Sequence, residues 1–580
     1  MSISITLKDA YKTFTDDQDK IIAPDETLKN VKHKFNRLDL SILEETVRID
    51  NGRLDIPVYF SVCGEDAARL TGTSKQMGKG ATPVQAETSA VMELVERYSF
   101  YNFANTPQNF IIDTYDNLKD LAMPFDMIAK SVHDASDDLA KTREFFSDIP
   151  MKWTWGYNLT TQKKMLVPFD WFFAINEFNG TSAGNCVEEA LCQGICEIVE
   201  RHVSAIVCRE KKIIPGIKPE SATDPAVVSM LEKYKKTGIN LYVSDFTLGM
   251  GIPTVGVMAF DPSTFPEKSE IVWTAGTTPD PDKAFSRALT ETAQLAGDFN
   301  TRSNFVASGL PKYNSIEQAR YITHPNKRLD ITELPDISNQ NIKVEVENCL
   351  SELSKRGFEV ITVATTHPKL DLPAFYSVVP GAHFRERASG TSVGMFSCKL
   401  IVEKNPPEKA IRLITEIDKT LLDTYYIKFY LGTCHLALEN AETAYRCFSQ
   451  ALELNPDKQD IPSIYSYMGI CLKDMGDYNG ALGVLKKGEA YDRERTDIYN
   501  QMGFCYFMLK QHEKAIKCFK QVIALNPSSA IDYANIASNY RDMGDTDNAI
   551  AYYQIALSID PSIDFARTNL EKLVRDPAES

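Results

Sequence analysis

A period of 34 residues in the last third of the chain constrains its fold more than any other feature. Tyr465-x-x-x-Gly469, Tyr499-x-x-x-Gly503 and Tyr533-x-x-x-Ala537 step by 34, as do Ala481, Ala515 and Ala549. An earlier copy carries Gly432 and Ala444 at an offset of 37, the three extra residues falling near Asp457 to Ile461. Asn455-Pro456, Asn526-Pro527 and Asp560-Pro561 close three of the copies. A unit this short cannot bury its own apolar face, so neighbours must stack into an all-α superhelix.

This pattern resembles the tetratricopeptide repeat: two antiparallel helices per unit, small residues where they cross, and a proline between units. The match runs from about Thr424 to Arg575. It implies a concave face of the kind that holds a segment of another protein. The alternative is an array that only packs on the rest of the chain or mediates self-association. Cys434, Cys471 and Cys505 occupy equivalent repeat positions, which marks them as packing residues and not ligands.

The chain is long enough for about three or four domains, so much lies outside the array. The preceding 400 or so residues alternate helical and strand-like runs, α+β or α/β in class. Val360 to Ala364 and Leu241 to Ser244 read as strands, Glu87 to Phe103 and Glu188 to Arg209 as long helices. Asn405-Pro406-Pro407 breaks helix and reads as a linker. The expected division is 1–404, a linker or helix at 405–423, and repeats at 424–575. A net charge of −16 disfavours nucleic acid as a partner, because phosphate backbones demand basic patches. No apolar stretch is long enough to span a bilayer and no secretory signal is evident, so no membrane partner is expected. The 12 scattered cysteines suit free thiols in a reducing cytoplasm. Cys186, Cys192 and Cys196 lie close together but lack CxxC pairing, and read as buried small apolar residues.

The two long helices share a phrase. Glu93-Leu94-Val95-Glu96-Arg97 and Glu197-Ile198-Val199-Glu200-Arg201 stand 104 residues apart, which hints at a duplicated half. Thr82-Pro83-Val84-Gln85 supplies an N-cap, a proline at the first helical position and a capping-box partner. Asn185-Cys186-Val187-Glu188 reads as the same box with Asn185 as cap. Asp280-Pro281 opens a third helix bearing Arg287 and Glu291. At 100° per residue, Glu189, Gln193, Glu197 and Glu200 fall within about 80° of arc, and Ser89, Glu93 and Glu96 within about 60°. Apolar residues such as Leu191, Ile195, Val199 and Val203 cover the rest of the second helix, so the polar stripe must face a cleft.

Carboxylates four residues apart repel one another, more so when confined, and no lysine lies among them. Hard oxygens from several helices suit Mg²⁺, which bridges to phosphates. Arg97, Arg201 and Arg287 could clamp those phosphates, or each Glu–Arg pair could be structural. Gly78-Lys79-Gly80 reads as a glycine-rich turn offering backbone N–H groups to an anion. A Walker A loop and the kinase signatures are absent.

Together these residues resemble the motifs of the YcaO family. Gly78-Lys79-Gly80, Ser89-Ala90 and Glu93-x-x-Glu96-Arg97 are similar to its first motif. Gly184-Asn185, Glu189-x-x-x-Gln193-x-x-x-Glu197 and Glu200-Arg201 are similar to its second, and Arg287-x-x-x-Glu291 to its third. Val379-Pro380-Gly381 is similar to a later signature. The resemblance implies an α+β domain that binds ATP with Mg²⁺ and activates a peptide backbone amide by phosphorylating its oxygen. Displacement by a Cys, Ser or Thr side chain then gives an azoline, and displacement by sulfide a thioamide. It implies Glu93, Glu96, Glu189, Glu197, Glu200 and Glu291 as metal ligands, and Lys79, Ser89, Arg97, Gln193, Arg201 and Arg287 as nucleotide contacts. Lys20 and Thr27 resemble a phosphate-contacting pair of some members. Another branch, also with C-terminal helical repeats, is linked to methylthiolation of an aspartate in a ribosomal protein, so an accessory role there is the alternative, as is a non-catalytic adaptor. Azoline-forming members often end in a proline-rich tail. This sequence ends Arg575-Asp576-Pro577-Ala578-Glu579-Ser580, which points away from them. No CxxxCxxC motif is present, so radical sulfur chemistry is not expected in this chain. His202 and His383 are candidates for a base, set against structural roles.

Overall fold

The computed structural model describes residues 4–38, 40–50, 53–134, 136–266, 269–295, 313, 315–384 and 391–575. The C-terminal 576–580, weighed above as a tail, lie outside the described residues. Those described form two compact units, divided between Ser392 and Val393, with 137–146 grouped in the second.

In the first unit the described strands form three sheets. The first is antiparallel, ordered β1 (Leu43–Arg48), β2 (Val58–Cys63), β3 (Lys75–Lys79). The largest runs β4 (Ile111–Asp113), β5 (Met151–Asn158), β13 (Ile361–Ala364), β14 (Ala374–Val378), β7 (Thr181–Ala183), with β6 (Lys163–Pro168) also on β5. The last is ordered β11 (Val272–Thr277), β10 (Thr254–Phe260), β9 (Asn240–Asp245), β8 (Gly216–Ile217), β12 (Arg328–Leu329). Both strands anticipated from sequence are present, as β13 and β9.

The long helices are Pro83–Ala104 and Val187–Glu210; Pro281–Leu295 is the third. Thr82 caps the first, accepting the Gln85 N–H at 3.3 Å, with Pro83 in the first turn. The reciprocal half of the expected capping box is not formed: Gln85 Oε1 finds no partner among the described residues, and the side chain lines a cleft. Asp280 opens the third helix as expected, accepting the Asp282 N–H at 2.8 Å.

Two local expectations are corrected. The cap of the second helix is Cys186, whose sulfur accepts the Glu189 N–H. Asn185 lies one residue outside, with its backbone and side-chain N–H groups donating to Glu189 Oε2 at 2.9 and 3.1 Å. Gly78 and Lys79 end strand β3 and do not form an anion-holding turn. Gly78 serves close packing instead: a Cβ there would lie 1.9 Å from Ala90 N and 2.6 Å from Ala86 O of the 83–104 helix. Gly276 of β11 does the same for the third helix, where a Cβ would lie 2.2 Å from Ala284 O.

The core of the first unit forms around these helices. Val91, Leu94, Val95 and Tyr98 pack with Val31, Phe35, Ile42 and Leu370. Leu191, Ile195, Ile198, Val199 and Val203 are buried on the second helix, which leaves its acidic stripe to face a cleft.

The second unit holds helix pairs in the expected period: Tyr425–Ala437 with Ala441–Glu453, Ile461–Asp474 with Tyr478–Tyr491, Thr496–Met508 with His512–Leu525, and Ala530–Asp542 with Thr546–Ile559, followed by Asp564–Arg575. Helices Val393–Lys404 and Pro407–Thr420 precede the pairs, and Asn405-Pro406 is the break between them. Ala444, Ala481, Ala515 and Ala549 are fully buried, as are Cys471 and Cys505, with Cys434 at 1% exposure. The small residues mark helix crossings: a Cβ on Gly503 would meet the Phe519 ring at 2.7 Å. Gly503→Ala is therefore expected to cost about 1–3 kcal/mol by overpacking, read as a lower unfolding midpoint of the full-length chain.

Candidate functional site

The glutamate-bearing helices meet beside an N-terminal strap. Phe14 and Lys20 pair across a tight reversal, and the strap is fastened at several points. The Ile21 N–H donates to Glu189 Oε1 at 2.7 Å. The Ala81 N–H donates to Asp17. Lys12, buried, bridges Asp19 and Glu345, each at 2.6 Å. Lys283 donates to the Thr15 carbonyl at 2.8 Å and to Asp224 at 2.6 Å. These ties place Gln18 and Lys20 along a cleft of about 890 Å³. Its lining also includes Thr27, Lys79, Ser89, Glu93, Glu96, Glu189, Gln193 and Arg287. A second lobe of about 580 Å³ shares Lys20, Glu189, Gln193 and Arg287 and is floored by Cys192, Cys196, Thr277 and Ile342.

Of the remaining candidates, Glu200, Glu291 and Arg97 adjoin this cleft through contacts with the lining residues Arg287, Lys79 and Glu93, whereas Glu197 and Arg201 line neither lobe and contact each other. Arg97 donates through Nε and Nη2 to Glu93 Oε1 at 3.0 and 2.7 Å, and lies over the Phe178 ring at 4.2 Å. Arg287 donates through Nε to Glu200 at 3.1 Å and through Nη1 to Gln193 at 2.8 Å. Glu200, 2% exposed, also accepts the Thr277 N–H at 3.3 Å. Lys79 pairs with Glu291, and Arg201, largely exposed, stands 3.8 Å from Glu197. Glu189 is held by three N–H groups, from Ile21 and Asn185. Among the described residues no three His, Cys, Asp or Glu side chains close into a metal-holding cluster. Glu93, Glu96, Glu197, Glu200 and Glu291 each face a cationic side chain, whereas Glu189 is held by N–H groups alone.

The histidines fall elsewhere. His202 and His383 do not line the cleft. Their rings stack at 5.3 Å, and His383 stacks on His133 at 3.8 Å. The His383 N–H donates to His202 Nδ1 at 2.9 Å. Burial lowers His202 and His383 each to about 4, so at neutral pH both are uncharged stacking groups. No local pattern around His133 announces its place in this stack.

Burial dominates the electrostatics of the cleft. It raises Glu96 well above the usual carboxylate range, with Glu93 pushing the same way and Arg97 opposing. It raises Glu197 also, against Arg201 and Arg97. Desolvation lowers the Lys79 amine to about 7, with Arg287 pushing the same way and Glu200 opposing. Burial works against Arg287 too, but Glu200 and Glu197 hold it above its ordinary value.

A raised carboxylate carries a stability consequence. Above the unfolded value of ~4.3 and up to the raised native value, folded Glu96 keeps a proton that the unfolded chain has lost. Stability falls with rising pH across that window. Glu96→Gln mimics the protonated form. It is expected to be more stable than wild type at pH 8 in metal-free buffer, with the gap closing toward pH 5, measured by denaturant unfolding at each pH.

Oxygen donors from three helices, set among guanidinium groups, fit a hard divalent cation with phosphate. Glu93, Glu96 and Glu189 of the cleft lining, with Glu197, Glu200 and Glu291 beside them, could supply the oxygens. Lys20, Lys79 and Arg287 could meet the phosphates. Sequence reasoning missed Thr181 of β7, which touches both Glu96 and Arg97, and the ties made by Lys12, Lys283 and Glu345. These contacts join residues far apart in the chain, so no local pattern announces them.

Comparison with known proteins follows the same lines. The family described as YcaO cyclodehydratase, ATP- and Mg²⁺-binding, matches residues 77–383, more than half of the chain. Tetratricopeptide repeat families match 496–529 and 533–563. The chain is 27% identical over 383 residues to an uncharacterized protein of Methanothermobacter thermautotrophicus, covering 62% of this chain and 94% of that one. It is 31% identical over 144 residues, 24% of each chain, to the ribosomal protein S12 methylthiotransferase accessory factor YcaO of Escherichia coli. Its fold is similar to that of a heterocyclase solved in complex with substrate and cofactor, with a TM-score of 0.53 and 22% identity, over 66% of this chain and 54% of the heterocyclase. Three motif-bearing helices around one cleft, the family match and the helix pairs at 34-residue spacing agree: the chain belongs to the YcaO family and carries tetratricopeptide repeats after its YcaO region.

Proposed function

We propose that this chain binds Mg-ATP in the cleft between the 83–104, 187–210 and 281–295 helices and phosphorylates a backbone amide oxygen of a peptide or protein brought to it by the repeats. The observation that carries this reading is the convergence of Glu93, Glu96, Glu189, Gln193, Arg287, Lys79 and Lys20 on one cleft. In this reading Arg287, held by Glu200 and Gln193, presents fixed positive charge to the phosphates. Lys20 is carried to the cleft by the strap, and Glu93 and Glu96 supply oxygens for the metal. Bound Mg²⁺ would offset phosphate charge. ATP would supply a phosphoryl group to the amide oxygen, making it a leaving group; a nucleophile would add at the amide carbon, the C–O bond would break to release phosphate, and the amide N–H proton would pass to solvent. Burial of the carboxylates and guanidinium groups favours the chemistry, since charges act more strongly where water is excluded.

A second reading, assistance to a separate ribosomal-protein methylthiotransferase, is favoured by the likeness to the Escherichia coli accessory factor. Mass spectrometry of extracts with and without the gene separates the two. Loss of water or exchange of oxygen for sulfur at a peptide bond, present only with the gene, is the expected result. Disappearance of only an aspartate methylthio group on deletion would defeat amide activation and leave the accessory role.

A further inference from the structure

Glu93 and Glu96 lie one turn apart on one helix but are held differently. Glu93 takes two N–H groups of Arg97 directly. The Arg97 guanidinium comes only to 3.5 Å from Glu96 Oε1. Thr181 of strand β7 closes that gap: Arg97 Nη1 donates to Thr181 Oγ1 at 3.1 Å, and the Thr181 hydroxyl donates to Glu96 Oε1 at 2.5 Å. The Phe178 carbonyl, 2.7 Å from Thr181 Oγ1, is a second acceptor for the same hydroxyl. A hydroxyl has one proton and two lone pairs. Oγ1 can donate to an ionised Glu96, or accept from a protonated one while donating to Phe178. Either way Oε1 stays where Thr181 fixes it.

We propose that Thr181 is a positioning residue for the metal: it holds Glu96 by Oε1 and so reserves Oε2 as a single, directed oxygen donor. The inference rests on the Mg-ATP reading above and deepens it. Fixing one oxygen favours Mg²⁺, which demands near-octahedral geometry. A carboxylate free to turn suits Ca²⁺, which accepts both oxygens of one group and a range of angles. Partners behind a metal ligand typically change metal affinity by about 10–100-fold. Thr181 is 1% exposed, so water cannot take over from a missing hydroxyl without rearrangement.

The test uses the full-length protein with Thr181→Val and Thr181→Ser. Mn²⁺ binding in the presence of ATP is followed by electron paramagnetic resonance, and Mg²⁺ and Ca²⁺ are compared as competitors. Thr181→Val is expected to weaken Mn²⁺ binding about tenfold and to narrow the preference for Mg²⁺ over Ca²⁺. ATP affinity at saturating Mg²⁺ should stay within about threefold, and Thr181→Ser should restore the wild-type values. Should Thr181→Val unfold, Thr181→Ala carries the same expectation. Wild-type metal affinity and selectivity in a folded Val or Ala variant, or a Ser variant as impaired as Val, would overturn this inference alone. A wild-type protein that binds neither metal nor ATP would overturn the Mg-ATP reading and the inference with it.

Discussion

Gly78→Ala is expected to cost the protein about 3 kcal/mol or more, the upper range for overpacking, and to abolish nucleotide binding with it. The added methyl would point into Ala90 N, Ala90 Cα and Ala86 O. These are backbone atoms, and no rotamer change moves them. Either β3 leaves its register on β2, where Gly78 pairs with Tyr59, or the 83–104 helix shifts away. That helix carries Ser89, Glu93 and Glu96, so the second outcome also spoils the cleft. Gly483→Ala is the control: it lies within a helix of the repeats, and a Cβ there meets nothing within 4 Å. It should be neutral or stabilising by up to about 1 kcal/mol. Denaturant unfolding of both variants checks the contrast, and a Gly78→Ala protein as stable as wild type would contradict the packing argument.

The second large effect is expected at Arg287. Arg287→Met strips the buried Glu200 carboxylate of the guanidinium at 3.1 Å and leaves Gln193 without its donor. Removing one member of a buried ion pair costs roughly 3–5 kcal/mol, because the other charge remains in a dry place. Pairing it with Glu200→Gln removes that charge and lets the amide keep the Thr277 N–H, so most of the loss should be recovered. If Arg287 were only half of a structural ion pair, the double variant would regain everything. In the present account it regains the fold but not the nucleotide, because the charge facing the phosphates is gone. Denaturant unfolding of the single and double variants gives the interaction energy between the two positions.

How much was visible beforehand depended on the range of the interaction. The repeats were legible because each small residue meets a neighbour set by the same short unit, as Gly503 does with Phe519. The long helices announced themselves through Thr82, Pro83 and Asp280 and through apolar residues around an acidic stripe. Local chemistry misled where two residues could play one part. Asn185 is the better cap by type, yet Cys186 occupies the position while Asn185 is tied to Glu189. Gly78 looked like a turn glycine because glycine marks both turns and close contacts, and only the helix packed on β3 decides between them. His202 and His383 illustrate the opposite failure. Side-chain type alone suggested proton transfer, and the fold stacks both rings with His133 at a place that the cleft lining does not include. Thr181 and Lys12 act through contacts with residues far away in sequence, Lys12 reaching Glu345, and nothing in their neighbourhoods signals this.

The central claim is a Mg-dependent ATP site built on these three helices. Calorimetric titration of ATP into the full-length protein, with and without Mg²⁺, tests it most directly when run beside the Glu200→Gln/Arg287→Met variant. Saturable binding of one ATP per chain that requires Mg²⁺ is expected, with no binding heat from the folded double variant. No binding by the wild type, or equal binding by the double variant, would contradict it.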